Sequence, residues 1–106
     1  MTTNNPKTLK LTIGDLTLDP QLHVVKRADQ EIKLTIKEFK LLEHLMKFPG
    51  EVVSRQNVLR LIWQYSPEIE SRVVDVYMGY LRKKIDKIPH KKLLHTIRGN
   101  GYMIKE

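Results

Sequence analysis

The sequence contains no cysteine among its 106 residues, which excludes disulfide bonds and thiolate metal sites and suits a reducing cytoplasm. No apolar run approaches the roughly 20 residues of a membrane-spanning helix, and no signal-peptide pattern opens the chain. The four histidines lack metal-ligand spacing such as H-E-x-x-H, and no nucleophile motif is present. We therefore expect a cytoplasmic protein without a membrane span, metal, cofactor or catalytic activity.

What the sequence does have is an uneven excess of positive charge. Its 19 Lys and Arg outnumber its 12 Asp and Glu, for a net charge of +7. Residues 72–106 hold nine of these cations but only three of the acids. A basic surface confined to one part of a domain favours a polyanionic partner, with nucleic acid, an anionic membrane surface and an acidic protein as the alternatives.

The N-terminal third predicts a tail followed by a small sheet. Residues 1–8 are polar and aperiodic, so we interpret them as a flexible tail or a linker remnant, and residues 9–106 as one folded domain. Short alternating segments follow, separated by residues that favour turns, and they predict an antiparallel meander. The segments are residues 11–13, 16–18, 24–25 and 32–34.

Three helices are expected next. Thr35 and Glu38 form a capping box that opens the first helix, and Pro49-Gly50 follows its end. Ser54 caps a short second helix and Ser71 a third, which runs to about residue 86. Apolar residues recur at helical spacing and predict the buried faces: Phe39, Leu42, Leu45 and Met46; Val58, Leu59 and Ile62; Val74, Met78, Leu81 and Ile85.

The chain ends in a predicted β-hairpin. Two apolar runs flank residues 98–101, and Asn100-Gly101 predicts a tight turn because both residues accept positive φ. The complete order, β-β-β-β-α-α-α-β-β, defines an α+β fold. It is a winged helix-turn-helix with an N-terminal four-stranded antiparallel sheet, three helices and a C-terminal β-hairpin wing.

The outer face of the third helix suits the DNA major groove, which accepts a helix of this diameter. Val76 lies on this face, where it is either an ordinary surface valine or a contact for a thymine methyl group. Gly79 costs about 1 kcal/mol relative to alanine. Close approach to DNA and close helix packing are both possible reasons. Tyr77 and Tyr80 either donate hydrogen bonds to DNA or pack partly against the domain. Arg98 either enters a minor groove or is an exposed turn residue.

Several motifs in order resemble a known family. Residues 72–84, RVVDVYMGYLRKK, with residues 96–102, TIRGNGY, are similar to the effector domain of OmpR/PhoB-type response regulators. Residues 34–42 and 53–63 also match its pattern, so the resemblance covers about residues 9–105. Three positions depart from it. Gly79 and Tyr80 often hold basic residues in this family, and Val73 stands where some members have threonine.

The resemblance implies a role for each matching residue. It implies major-groove contacts by Arg72, Val73, Val76 and Tyr80, and a minor-groove contact by the wing residue Arg98. Asp75 is expected to be structural or to orient a neighbouring arginine. The resemblance and the basic edge of the helix together imply contacts to the phosphate backbone by six residues: Arg55, Trp63, Tyr77, Arg82, Lys83 and Thr96.

The resemblance also implies partners. Double-stranded DNA with direct-repeat half-sites is the first, bound by a dimer although the isolated domain is expected to be monomeric. RNA polymerase is the second. It is contacted by a loop that includes Gln64, Tyr65, Ser66, Glu68 and Glu70, unless that loop merely connects two helices. Members normally carry a receiver domain served by a sensor histidine kinase. Residues 1–8 resemble an interdomain linker, which favours an excised effector domain over a natural standalone one.

The sequence alone is also compatible with other classes of function. The basic face could belong to a protein-interaction module that meets an acidic partner, and titration with duplex DNA against such a partner separates the two. RNA binding lacks the expected aromatic residues on a sheet face. Gly99-Asn100-Gly101 is interpreted as a turn and not a phosphate-binding loop, because no strand-to-helix context surrounds it.

Overall fold

The computed structural model describes residues 9–63, 72–87 and 89–106. Their order confirms the predicted winged helix-turn-helix. The predicted tail, the polymerase-contact loop and the Ser71 cap lie outside the described residues. The elements are β1 (Leu11–Ile13), β2 (Leu16–Asp19), β3 (Val24–Arg27), β4 (Gln30–Ile32), α1 (Ile36–Met46), α2 (Arg55–Ile62), α3 (Arg72–Ile85), β5 (Leu94–Ile97) and β6 (Gly101–Ile104).

The N-terminal sheet is an antiparallel meander with strand order β1-β2-β3-β4. The predicted bounds of its last hairpin were wrong. Arg27 pairs with Gln30, so only Ala28 and Asp29 form the turn, and both have positive φ. A two-residue turn of this kind matches the right-handed twist of the strands and lets both strands continue to its edges. β4 consequently ends at Ile32, two residues earlier than expected.

The capping box of α1 is confirmed and also joins two helices. The Thr35 hydroxyl accepts from the Glu38 amide at 3.2 Å, and the Glu38 carboxylate accepts from the Thr35 amide at 2.9 Å. Lys84 of α3 donates to the same carboxylate at 2.7 Å. Burial raises the pKa of Glu38, but the hydrogen bonds from Lys84 and Thr35 outweigh burial and leave it below its ordinary value. The cap therefore links α1 to α3.

The predicted apolar faces form the core. All eleven residues predicted for the three helix faces are buried. Leu41 is also fully buried although it lies outside the predicted face of α1, because this helix packs against β1 as well as the other helices. Ser54 caps α2 as expected, accepting from the Asn57 amide at 3.1 Å. The core thus holds α3 with one face inward and the opposite face free for contacts.

The wing is confirmed, but its turn differs from the prediction. Ile97 pairs with Gly101, so residues 98–100 form a three-residue loop. The Asn100 amide donates to the Ile97 carbonyl at 2.9 Å, and the positive φ falls on Gly99, the position where a type II turn requires it. Gly101 belongs to β6 and not to the turn.

Gly101 is required by a contact that the sequence pattern did not predict. Val53, between α1 and α2, forms an antiparallel bridge with Tyr102, with N–H···O distances of 2.7 and 2.9 Å. A Cβ atom at Gly101 would lie 2.1 Å from the Val53 carbonyl oxygen and 2.9 Å from the Ser54 Cα. Only glycine allows this approach, which fixes the wing to the start of α2.

A buried arginine cluster, made of Arg27, Asp15 and Asp86, joins the sheet to the end of α3. Arg27 is 2% exposed and donates to Asp15 at 2.5 Å and to Asp86 at 3.1 Å. It also donates to the carbonyl oxygens of Ile85 and Lys91. The hydrogen bond from Arg27 holds the pKa of Asp15 below its ordinary value. The cluster caps the end of α3, because Arg27 donates to the Ile85 carbonyl oxygen and the Asp86 carboxylate accepts from the Leu93 and Leu94 amides.

Candidate nucleic-acid interface

The outward face of α3 exposes large side chains that are not part of its buried apolar face. Val76 is 44% exposed and Tyr80 is 45% exposed, whereas Met78 and Leu81 on the inward face are fully buried. Arg72 and Lys83 are exposed on the same helix. Of the four residues expected at the major groove, three are therefore accessible. The fourth, Val73, is half-buried and packs against the core, so its side chain faces partly inward.

Gly79 lies on this outward face and has open space where a side chain would be. Among the described residues, no atom lies within 4 Å of an ideal Cβ at this position, apart from its chain neighbours and the helix backbone. Close packing against another described helix or strand is therefore excluded as the reason for a glycine here. The contrast with Gly101 is direct, since a Cβ there would overlap the backbone of Val53.

An aromatic row supports one edge of this face. Trp63 and Tyr77 meet edge to face with centroids 5.1 Å apart, and Tyr77 meets Tyr80 in the same way at 5.4 Å. The Lys37 ammonium lies 5.5 Å from the Trp63 ring centroid. Trp63 and Tyr77 pack against the core, so partial burial is correct for Tyr77. These contacts connect the exposed Tyr80 ring to the core through Tyr77.

The interface arginine cluster, made of Arg55, Asp75, Tyr102, Arg82 and Thr96, joins α2, α3 and the wing. Arg55 Nε donates to Asp75 Oδ1 at 2.8 Å, and the Tyr102 hydroxyl donates to the same oxygen. Arg82 donates to the Thr96 hydroxyl. The Arg55 and Arg82 guanidinium carbons lie 5.4 and 5.7 Å from the Tyr102 ring centroid. The structure therefore brings together three of the six residues predicted for phosphate contacts.

Charge and exposure in this cluster suit an anionic ligand. The Arg55 side chain is 34% exposed and that of Asp75 is 40% exposed, so the ion pair lies at the surface. Thr96 is exposed, while the Tyr102 side chain beneath the two guanidinium groups is buried. Guanidinium groups present several N–H donors in fixed directions and match the oxygens of a phosphate. Asp75 holds Arg55 in place, which agrees with the orienting role that the family resemblance implies.

Sequence reasoning missed Tyr102 as a member of this cluster. It was recognised only as part of an apolar run in the hairpin. A tyrosine within a buried strand usually finds a partner for its hydroxyl group, and that tendency was the available signal. The pairing itself needs Asp75 and Tyr102 to meet across 27 residues of sequence, which no local pattern encodes.

The basic side chains at the wing tip and at the end of α3 differ in their exposure. Arg98 is exposed at the first position of the three-residue loop. Lys83 is exposed, but the neighbouring Lys84 is bound to the buried Glu38 carboxylate. Among the described residues of this interface, the exposed cations thus lie at the start of α3, along its outer edge and at the wing tip.

A domain with an exposed helix face, a basic arginine cluster and a wing belongs to the winged helix-turn-helix class of DNA-binding proteins. The family model described as the C-terminal domain of transcriptional regulatory proteins matches residues 29–104. The chain belongs to this family, as the OmpR/PhoB-type resemblance predicted, and it is a DNA-binding output domain for control of transcription. The family consists of transcriptional regulators and is not an enzyme class.

Relatives in bacteria agree with this assignment. The chain is 48% identical over 101 residues to transcriptional regulatory protein TcrA of Mycobacterium tuberculosis, covering 95% of this chain and 40% of TcrA. It is 40% identical over 101 residues to response regulator MprA of a Mycobacterium species, covering 95% of this chain and 44% of MprA. The chain therefore spans less than half the length of these curated relatives.

Solved structures show the same fold. Response regulator DrrB of Thermotoga maritima, an OmpR/PhoB homolog, matches with a TM-score of 0.81 and 33% identity, covering 92% of this chain and 44% of DrrB. The DNA-binding domain of Klebsiella pneumoniae RstA, solved in complex with the RstA box, matches with a TM-score of 0.80 and 26% identity. That match covers 91% of this chain and 96% of the RstA domain. Within the described residues, no helix combines the length and apolar character needed to cross a membrane.

Proposed function

We propose that this domain binds a specific sequence of duplex DNA with α3 in the major groove and the wing in the adjacent minor groove. The interface arginine cluster is the observation that carries the proposal. It joins α2, α3 and the wing through Arg55, Asp75 and Tyr102, so three separate DNA-contacting elements act as one rigid surface. A rigid surface lowers the entropic cost of making several contacts at once.

Each accessible residue takes a role that fits its position. Arg72, Val76 and Tyr80 read base edges, with Val73 supporting them from its half-buried position. Arg98 enters the minor groove, whose negative potential attracts arginine where the groove is narrow. The residues assigned to the phosphate backbone lie on the edges of the helix face and fix its orientation: Arg55, Trp63, Tyr77, Arg82, Lys83 and Thr96.

In the full-length protein the domain would be the output of a two-component system. Its relatives are response regulators, which supports a receiver domain controlled by a sensor histidine kinase. Phosphorylation of the receiver would favour a dimer on direct-repeat half-sites about one helical turn apart. The loop before α3 would contact RNA polymerase. Chromosomal DNA as the ligand implies the cytoplasm.

Salt dependence of DNA binding tests the proposal. With about 5–7 phosphate contacts, the logarithm of the affinity should fall with the logarithm of the salt concentration at a slope of about −5 to −6. The site is first obtained by selecting bound sequences from a random duplex pool. An affinity that does not change with salt contradicts the proposal.

Arg98→Ala tests the wing. We expect a loss of about 1–3 kcal/mol in binding to the selected site, because the variant removes the minor-groove contact. Lys26→Ala is the matched control, since it removes an exposed cation from the N-terminal sheet instead. Equal affinities of the Arg98 variant and the wild type would remove the wing from the mechanism while leaving binding by α3 intact.

A further inference from the structure

Gly79 is the residue of α3 that the fold itself does not explain. A glycine inside a helix is less stable than alanine, because it loses more backbone entropy on folding. Such a residue is normally kept because another part of the fold comes close, as Val53 does at Gly101. At Gly79 the space is open, so nothing among the described residues requires the missing side chain.

The surroundings of Gly79 indicate what approaches it. Val76 and Tyr80 lie three residues before it and one after it, and each exposes nearly half of its surface. The Tyr80 ring contacts Tyr77 edge to face, on the side toward the start of the helix. At Gly79 the outward face is therefore bare helix backbone, with the exposed Val76 one turn toward the start of the helix and the exposed Lys83 one turn toward its end.

The patch of backbone at Gly79 itself carries no side-chain nitrogen or oxygen atom, so it cannot read most base edges by hydrogen bonds. In the major groove, the 5-methyl group of thymine is the feature that apolar atoms recognise, whereas guanine and adenine are read by hydrogen-bonding side chains. A methyl group also needs space, which an alanine Cβ at position 79 would fill.

We propose that Gly79 is a specificity-determining residue whose missing side chain admits a thymine methyl group against the backbone of α3. The inference rests on the proposed function, because it requires α3 in the major groove. It explains why a helix destabilised at its centre is compatible with function. Alanine at this position gives a more stable domain that fits its site less well.

Gly79→Ala tests the proposal because stability and binding should change in opposite directions. The melting temperature should rise by about 4–8 °C, since the helix gains propensity. Affinity for the selected site should fall by about 10-fold, since the Cβ occupies the space of the methyl group. Ile36→Ala is the matched control: it changes an exposed helical residue of α1 and should leave affinity unchanged. A Gly79→Ala domain that melts higher and binds as tightly as wild type overturns the proposal.

Replacing each thymine of the site by deoxyuridine, which lacks only the 5-methyl group, identifies the base. At one position the loss caused by Gly79→Ala should shrink to about 2-fold or less, because the Cβ then has room. If the loss is the same at every deoxyuridine position, the thymine assignment is overturned. If the wild type binds no duplex better than random DNA, the proposed function fails, which is a separate result.

Discussion

Two arginine clusters connect α3 to the rest of the molecule, and they differ mainly in exposure. In the buried arginine cluster, Arg27 is 2% exposed and its partner Asp86 is 4% exposed. In the interface arginine cluster, Arg55 and Asp75 are 34% and 40% exposed. Both pair an arginine with an aspartate of the α3 region. Only the second leaves its guanidinium group accessible to a ligand.

The difference separates a structural role from a binding role. Arg27 donates to two carboxylates and two backbone carbonyl groups, all within the domain. Asp15 at the edge of this cluster is 47% exposed, but the Asp86 carboxylate and the Ile85 carbonyl oxygen are buried and depend on Arg27 as a donor. A buried charge without its partners is costly, whereas a surface ion pair contributes little to stability. We therefore expect loss of Arg27 to affect folding and loss of Arg55 to affect binding.

The largest effect is expected for Arg27→Ala. Removing the guanidinium group leaves Asp86 with a buried charge and two carbonyl groups without donors, which should lower the free energy of unfolding by about 3–5 kcal/mol. Urea denaturation measures this change. Lys26→Ala, an exposed neighbour on β3, is the control and should change stability by less than about 0.5 kcal/mol. Equal stabilities of the two variants would contradict a structural role for the buried cluster.

A smaller effect of a different kind is expected for Arg55→Ala. Affinity for the selected DNA site should fall by about 10-fold, and the salt slope should become shallower by about 1, because one phosphate contact is lost. The free energy of unfolding should change by less than about 1 kcal/mol. Arg60→Ala on the same helix is the control, since Arg60 is exposed and donates to Asn57 instead.

The comparison breaks down if Arg55→Ala unfolds the domain as readily as Arg27→Ala. That outcome would make the interface cluster structural, with Asp75 and Tyr102 depending on Arg55 for their own positions. A variant that loses affinity while keeping its melting temperature supports the division between the two clusters.

Local patterns predicted most of the fold. The capping box at Thr35, the Ser54 cap and the apolar stripe of α3 depend only on residues within one helix, so a single sequence reveals them. The turn of the wing was harder. Asn100-Gly101 is a strong local signal for a two-residue turn, but Gly101 serves the approach of Val53, and the positive φ of the turn moved to Gly99.

Contacts between distant residues account for what was missed. Arg27 follows Val25 with the alternation of a strand, which places it inward, but its partners Asp86 and Lys91 lie about 60 residues away. Asp75 was assigned from family resemblance, whereas its hydrogen bond with Tyr102 depends on how the wing returns to α3. The site could thus be predicted as a set of exposed residues, but not as the network that holds them.

The ion pair between Glu38 and Lys84 is intermediate in exposure between the two clusters, and its contribution to stability should depend on pH. Glu38 is 3% exposed and Lys84 is 39% exposed. Because the folded-state pKa of Glu38 lies below its ordinary value of 4.5, its contribution to stability is present above that pH and is lost as the pH falls through the folded pKa. Glu38→Gln should lower the free energy of unfolding at pH 7 by about 1–2 kcal/mol. It should also reduce the expected decline of the melting temperature between pH 6 and pH 3.

The control for this pair is Glu43→Gln on the same helix, which breaks a surface contact with Lys47 at 3.7 Å and should change stability at pH 7 by less than about 0.5 kcal/mol. Asp15 also has a lowered pKa, so the Glu38 variant should retain part of the decline. The DNA affinity of the Glu38 variant at pH 7 should stay within about 2-fold of wild type, which corresponds to about 0.4 kcal/mol. The reason is that Glu38 is buried beneath α3 and does not lie on its outward face. An acid profile identical to that of the wild type would show that the ion pair between Glu38 and Lys84 contributes nothing to the stability of the domain.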